Sequence, residues 1–428
     1  MSEDKFDALI VGAGLAGSTC AYLLAKAGLE VVVVERGNFP GAKNMTGGRL
    51  YAHSLEKIIP DFAEEAPVER CIVHEKISFM NEDGCTTMDH SNVMSEDPAE
   101  RSYTVLRSKF DPWLAEKAED EGANYISGIR VDDLIIRDGV VCGVVAGEDE
   151  LEANVVILAD GVNSLLGQKA GLVNKLSPHH CAVGVKEIIQ LSKQQINDRF
   201  GCTDKEGAAW LVAGTPSDNQ MGGGFLYTNE ESISLGLVFG LHNIDSVTKS
   251  VPQMLEDFKQ HPMIAPLIEG GKLMEYSAHV VPEGGRAMIP KMVDDGILIA
   301  GDAAGLCLNV GYTVRGMDLA IASGEAAAKA VLKAKEADNF TADSLSSYTK
   351  LLEDSFVMKD LNLYSKMPEF LDNNRMYNEY PEMVNSMMHD LFTVKGASTP
   401  LRKSFMGHLK KAGFMNLLKD GWKGVRSI

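Results

Sequence analysis

Among the seven cysteines of this 428-residue chain there is no Cys-x-x-Cys, and no two lie closer than 14 positions. Spacing of this kind encodes neither a zinc site nor an iron–sulfur cluster. An odd, scattered set reads instead as reduced, mostly buried thiols in a reducing compartment. No apolar run reaches the roughly 18 residues that a membrane-spanning helix needs. The start, Met1-Ser2-Glu3-Asp4-Lys5, has neither the basic nor the apolar region of a secretory signal, so a cytoplasmic location is expected. The ten histidines form no i,i+4 metal pair, and the adjacent His179-His180 reads as a surface turn. No Ser-His-Asp or paired-carboxylate signature is legible, so no residue is named as catalytic. The formal charge of −19 speaks against non-specific nucleic-acid binding by the body of the protein.

What the chain does have begins at once. Phe6-Asp7-Ala8-Leu9-Ile10-Val11 is a β-forming run that meets Gly12-Ala13-Gly14-Leu15-Ala16-Gly17, and a helical stretch from Ser18 to Ala27 follows. In a dinucleotide-binding βαβ unit Gly12 permits the tight turn and Gly14 lets backbone approach a pyrophosphate. Gly17 lets helix and strand pack closely. The helix start aims free N–H groups and a positive dipole end at the phosphates. A second strand, Leu29–Val34, ends at Glu35, 18 residues beyond Gly17, where a carboxylate can accept hydrogen bonds from an adenosine ribose. The first 36 residues leave FAD and NAD both open.

The next stretch, Gly37 to Arg49, is glycine-rich and polar, unfit for a buried strand or a good helix. It reads as a loop whose small residues, Gly48 among them, suit close approach to a flat ring; an ordinary surface loop is the alternative. An amphipathic helix is expected from Ser108 or Lys109 to Glu121, with Phe110, Trp113, Leu114 and Ala118 on one face and Gly122 as its cap. Strands Gly128–Ile136 and Val140–Ala146 flank an Asp138-Gly139 hairpin turn. The apolar run Asn154–Ala159 ends at Asp160-Gly161, a ligand edge in an open α/β sheet. Residues 178–280 are strand- and glycine-rich and read as an inserted, mainly antiparallel domain. The first pattern then recurs at Gly296–Ala300, which runs into Gly301-Asp302-Ala303-Ala304-Gly305 and a long helix from about Arg315 to Ala334. The expected organisation is 1–177, nucleotide domain, first part; 178–280, inserted substrate domain; 281–340, nucleotide domain, returning part; and 341–428, a helical C-terminal region with a basic tail.

Taken in order, Gly12-x-Gly14-x-x-Gly17, Asp160-Gly161 and Gly301-Asp302 resemble the FAD-binding fold of the aromatic hydroxylase and geranylgeranyl reductase type, a Rossmann-like α/β class. The resemblance is closer still to the electron transfer flavoprotein–quinone oxidoreductases, and in particular to the bacterial FixC proteins. Its marks include Gly223–Tyr227, Gln253–Pro262, Glu269–Lys272 and Pro282-Glu283-Gly284-Gly285. It implies that Gly12, Ala13, Gly14, Leu15, Ala16 and Gly17 cradle the FAD pyrophosphate and that Glu35 holds the adenosine ribose. Arg36 and Arg107 would be basic contacts near the adenosine half and phosphates, and Val131 would offer backbone to the adenine. Asp302 would bind the ribityl chain beside Gly301, with Asp160 and Gly161 flanking the cofactor. Gly311 and Tyr312 precede the long helix, whose start would face the flavin C2 carbonyl and N1 and favour negative charge there.

The same resemblance implies an FAD oxidoreductase that takes electrons from an electron transfer flavoprotein of the FixA/FixB kind. It would pass them to quinone or to a separate ferredoxin-like protein of the FixX kind. No cysteine follows Cys307, so the iron–sulfur module fused to the longer family members is expected to be absent here. A flavin-dependent reductase of isoprenoid double bonds is the second reading, an aromatic hydroxylase the third, and a non-catalytic binding subunit the fourth. From Arg402 to Ile428 seven Lys or Arg stand against one acidic residue, Asp420, interleaved with Phe405, Phe414, Leu417, Leu418 and Trp422. Two readings of that tail stand: peripheral contact with an anionic membrane, or a terminal helix docked on the acidic body.

Overall fold

The computed structural model describes residues 5–44, 48–397 and 400–427. Met45, Thr46 and Gly47 of the expected ring-facing loop, the residues before Lys5 and Ile428 of the tail lie outside the described residues.

The strand Phe6–Val11 is buried on both faces by its Val-, Ile- and Leu-rich neighbours, the signature of a central parallel strand. It pairs in parallel with Val31–Glu35 on one side and with Asp149–Leu158 on the other, Val11 opposite both Val34 and Leu158. Asn124–Ser127 extends the sheet beyond Val31–Glu35, and Ile297–Ile299 extends it beyond Asp149–Leu158. The chain therefore returns to its first sheet after the excursion, as its recurring strand-and-turn pattern predicts. A meander of Asp133–Arg137, Val140–Ala146 and the first half of Asp149–Leu158 branches from this sheet through that last strand. Asp138 and Gly139 both adopt positive φ, 50° and 85°, which is the hairpin turn that this dipeptide favours. The helices Leu15–Lys26 and Met317–Glu336 cross closely because Gly324 brings backbone to backbone: a Cβ there would lie 2.4 Å from the Ala16 carbonyl oxygen.

The second sheet has nine strands among the described residues. Cys181–Gln190, Glu206–Gly214, Gly222–Thr228, Ser232–Gly240 and Lys272–Pro282 come from the expected insertion and pair antiparallel. The sheet is not confined to that segment. Val68–Met80 pairs in parallel with Glu206–Gly214, and Cys85–Ser91, Ser102–Val105 and Gly48–Tyr51 follow it antiparallel. The sequence division at 177 misses this because the pairing joins segments more than 120 residues apart, which no local periodicity encodes. Arg70, fully buried at that junction, donates to the carbonyls of Asn229, Thr203 and Glu206 and to Asn197 Oδ1, so its burial leaves no donor stranded.

From Ala342 onward the chain is helical, as its composition predicts. The helix Glu379–Phe392 lies on the Val68–Ser91 hairpin, held by Asn385 Nδ2 donating to Phe79 O at 2.9 Å and by Thr86 Oγ1 donating to Asn385 Oδ1 at 2.8 Å. Two helices, Leu401–Lys411 and Phe414–Val425, end the described chain.

Candidate functional site

Each glycine of the first turn has its own geometric reason. Gly12 sits at φ +103° with space for a Cβ only 2.3 Å from the Ala159 carbonyl oxygen. At Gly17 a Cβ would lie 2.0 Å from the Gly12 carbonyl oxygen, so helix and strand touch there. Gly14 differs: its Cβ would meet nothing nearer than Arg107 Nη2 at 3.9 Å and Asn44 Nδ2 at 4.0 Å. The space in front of Gly14 is open and is bounded by donors. Gly14 also caps Leu15–Lys26 without any side-chain hydrogen bond to the first-turn N–H groups. An open cradle of N–H groups at a helix start is a ready phosphate site.

Glu35 closes the back of this turn. Its carboxylate accepts from the Ala13 N–H at 2.9 Å and from the Gly37 N–H at 2.6 Å. Arg107 lies at the start of the helix Arg107–Asp120, one residue ahead of the expected boundary. It grips Asp111 through Nε to Oδ1 at 2.6 Å and Nη2 to Oδ2 at 2.8 Å, and Asn44 donates to the same Oδ2 at 2.7 Å. Held this way, its guanidinium has one fixed orientation toward the open turn. On the facing side the turn after Ile297–Ile299 places Asp302 in the cavity wall. Burial pushes the Asp302 carboxyl above its usual range, and the Arg107 charge opposes that rise. The helix Met317–Glu336 begins at Gly316 without a side-chain cap, and Gly316, Met317 and Ala320 face the same space. Asp318 Oδ2 accepts from Arg315 Nη2 at 2.6 Å and lies 3.1 Å from His53 Nε2, which fixes that helix start in place.

These parts surround one cavity of about 580 Å³, a size suited to a cofactor or an extended ligand. Of the residues expected from sequence, Gly14, Leu15, Ala16, Gly48, Arg107, Gly161, Gly301, Asp302, Gly311 and Tyr312 line it. Gly12, Ala13 and Gly17 form the turn beneath. Glu35 stands behind Ala13, and Arg36 is exposed beside it. Asp160 is half-buried at the edge, its carboxyl turned inward, where desolvation lifts it to about 6. Its Oδ1 has no hydrogen-bond partner among the described residues. Val131 lies in the connection before the strand Asp133–Arg137, half-buried, and is not among the residues that line this cavity.

The far end of the cavity is apolar and was not named from sequence. Ile77 and Phe79 reach it from Val68–Met80, Leu211 and Val212 from Glu206–Gly214, and Phe370, Leu371 and Tyr377 from the C-terminal segment. The run Gly222-Gly223-Gly224 was the available signal. Gly222 and Gly223 adopt φ near +140°, and a Cβ on either would lie 2.0 or 2.5 Å from a carbonyl oxygen of a neighbouring strand. Arg49 also lines the cavity, its guanidinium bound to Glu75 and to Ser102 Oγ.

Three family models match the chain in sequence: an FAD binding domain over residues 5–190, an ETF-QO ubiquinone-binding region over 181–281, and the ETF-QO/FixC family C-terminal domain over 367–428. The fold and the site define an FAD-dependent oxidoreductase. The open turn at Gly14, the oriented Arg107 and the acidic Glu35 and Asp302 are the donors and acceptors that an FAD needs. The chain is 59% identical over 429 residues to the probable electron transfer flavoprotein-quinone oxidoreductase YdiS of Escherichia coli (strain K12), covering all of both chains. It is 60% identical over 426 residues to Protein FixC of Salmonella typhi, covering 99% of each. The chain belongs to the ETF-QO/FixC family of electron-transfer flavoproteins. A geranylgeranyl bacteriochlorophyll reductase-like structure from Thermoplasma acidophilum shares the fold, with a TM-score of 0.73 at 20% identity over 98% of this chain and 99% of that one.

Proposed function

We propose that this protein accepts electrons from an electron transfer flavoprotein and delivers them to a quinone, with FAD bound between the two sheets. The observation that carries the reading is the single cavity, which joins the polar turn at Gly14 and Asp302 to apolar walls from the segment matching the ubiquinone-binding model. In this reading Gly14, Leu15 and Ala16 present N–H groups to the pyrophosphate and Arg107 neutralises it. Glu35 accepts from the adenosine ribose, Asp302 from the ribityl chain, and Gly311, Tyr312 and the start of Met317–Glu336 face the ring. FAD, when bound, supplies the exchange between one- and two-electron chemistry. Ile77, Phe79, Leu211 and Phe370 exclude water and receive an apolar ring. A separate ferredoxin-like protein is the second acceptor under this reading.

The tail supplies the approach to lipid. Phe414–Val425 is docked by one face, Asp420 being buried against Arg375 and Tyr380. The opposite face carries Met415, Leu418, Trp422 and Val425, each at least half exposed, beside Lys419, Lys423 and Arg426. Gly424, on the docked face, lies against Phe370, a cavity-lining residue, so the helix sits beside the apolar end of the cavity with its apolar stripe turned outward. An anionic membrane surface matches that stripe and its cations, and a lipid-dissolved quinone would enter there. No described helix is long and apolar enough to cross a membrane. The test is quinol formation from a short-chain ubiquinone when holoprotein is mixed with reduced electron transfer flavoprotein. Hydride uptake from NADPH with saturation of a prenyl chain would favour the reductase reading instead.

A further inference from the structure

Reduction of a quinone to a quinol requires protons as well as electrons, and one group on the cavity wall is built to give them. Glu283 follows the strand Lys272–Pro282 and lines the cavity with only 9% of its surface exposed. Its backbone N–H donates to His180 O at 2.8 Å, which fixes the start of its side chain. Its Oε2 accepts from Asn309 Nδ2 at 3.1 Å, a neutral donor.

The titratable groups that face Glu283 come from three elements: Cys181 at the start of Cys181–Gln190, Cys307 beyond the Asp302 turn, and Tyr377 of the C-terminal segment. All three are neutral at physiological pH, and burial with the Glu283 charge holds them so. Among the described residues no cation pairs with Glu283. Desolvation therefore acts on its carboxyl with only the Asn309 hydrogen bond against it, and lifts the group to about 7. A carboxyl in that range holds a proton at neutral pH and can release it.

The His180 ring packs on Gly284, where a Cβ would lie 2.8 Å from His180 Cγ. The adjacent His179 is exposed and stacks on His242 with ring centres 4.9 Å apart, and His242 Nε2 lies 2.6 Å from Asp372 Oδ1. His180 thus meets Glu283 through its carbonyl, and the neighbouring His179, His242 and Asp372 form a group that reaches the surface.

We propose that Glu283 is the residue that hands protons to the quinone oxygens in this cavity. The proposal rests on the quinone-reducing reading above. The balance is two electrons from the electron transfer flavoprotein and two protons per quinone. In each proton step the Glu283 O–H bond breaks and a quinone O–H bond forms. The carboxylate left behind takes a proton from solvent before the next step.

Glu283→Gln tests this because an amide oxygen still accepts from Asn309 and fills the same volume, yet releases no proton. The measurement is turnover with short-chain ubiquinone divided by turnover with ferricenium, a one-electron acceptor that takes no proton. In the wild type this ratio falls as pH rises through about 7, the pH at which Glu283 loses its proton. In Glu283→Gln the ratio is at least about tenfold lower near pH 6 and shows no such inflection, and Glu283→Asp restores part of both. A second readout needs no turnover. The Glu283 carboxyl is raised from 4.5 in the unfolded chain to about 7, so the folded state binds the extra proton and melting temperature falls as pH rises across that window. That fall is smaller in Glu283→Gln. A wild-type ratio and pH profile in Glu283→Gln overturn the relay while leaving quinone reduction standing. Failure of the wild type to form quinol overturns the proposed function, and the relay with it.

Discussion

The backbone N–H of Ala13 donates to Glu35 Oε2 at 2.9 Å, tying the glycine turn after the first strand to the end of the second. One carboxylate therefore shapes the turn, and under the proposed function it also holds the adenosine ribose. Replacing Glu35 by Gln keeps its size and removes the charge. Hydrogen bonds to charged groups contribute about 1.5–3 kcal/mol, so FAD affinity should fall by about 10- to 100-fold. Titration of apoprotein with FAD checks this, and unchanged affinity would remove Glu35 from the site.

Gly14 and Gly17 should separate cofactor binding from folding. Gly14→Val places its branched side chain in open space, so the protein should fold but purify without flavin. Gly17→Ala drives a Cβ into the Gly12 carbonyl oxygen, 2.0 Å away, and should cost about 1–3 kcal/mol of stability. Flavin content and melting temperature measured on both variants check the contrast. Full flavin in Gly14→Val would contradict the reading of the turn.

Asp420 should make the docked tail sensitive to acid. The Arg375 hydrogen bond, joined by that from Tyr380, holds its carboxyl well below the usual carboxylate range. A depressed folded value gives a stabilisation that is present above the unfolded value of 3.8 and lost as pH falls below it. Asp420→Asn should remove about 1.5–3 kcal/mol from docking at neutral pH, since hydrogen bonds to a charged group are lost. Faster limited proteolysis within 400–427, with the body of the chain intact, is the expected readout.

The outward face of the same helix should govern membrane contact. Converting Met415, Leu418 and Trp422 to Glu removes apolar area and introduces charge repulsion toward anionic lipid, where each basic residue near the surface contributes about 1 kcal/mol. Co-sedimentation with phosphatidylserine-containing vesicles should be lost while flavin content is kept. Equal binding by the triple variant would assign the face to another partner.

The parts legible in the sequence are those written in short-range chemistry. Gly12, Gly14 and Gly17, the Asp138-Gly139 turn and the Phe110–Trp113–Ala118 face each depend on neighbours a few residues away. The returning strand was legible because Gly296–Gly305 repeats the opening pattern. What was not legible depends on distant pairing. Val68–Met80 reads as an ordinary strand of the first half, and only its register with Glu206–Gly214 shows which sheet it joins. Phe370 and Tyr377 carry no local signal in the helical C-terminal region, and only the fold brings them to the cavity. Glu283 stands in the sequence only within a family mark, because nothing in Pro-Glu-Gly-Gly shows that its side chain lines a cavity. The strand expected over Gly128–Ile136 begins at Asp133, so Val131 stands two residues before it.

The most direct test of the central claim is an anaerobic stopped-flow experiment with two sequential donors and acceptors. Mixing the flavin-loaded protein with reduced electron transfer flavoprotein should bleach its flavin absorbance, and adding ubiquinone should restore it with quinol formed in equal amount. Bleaching by NADPH alone, with no response to reduced electron transfer flavoprotein, would contradict the account.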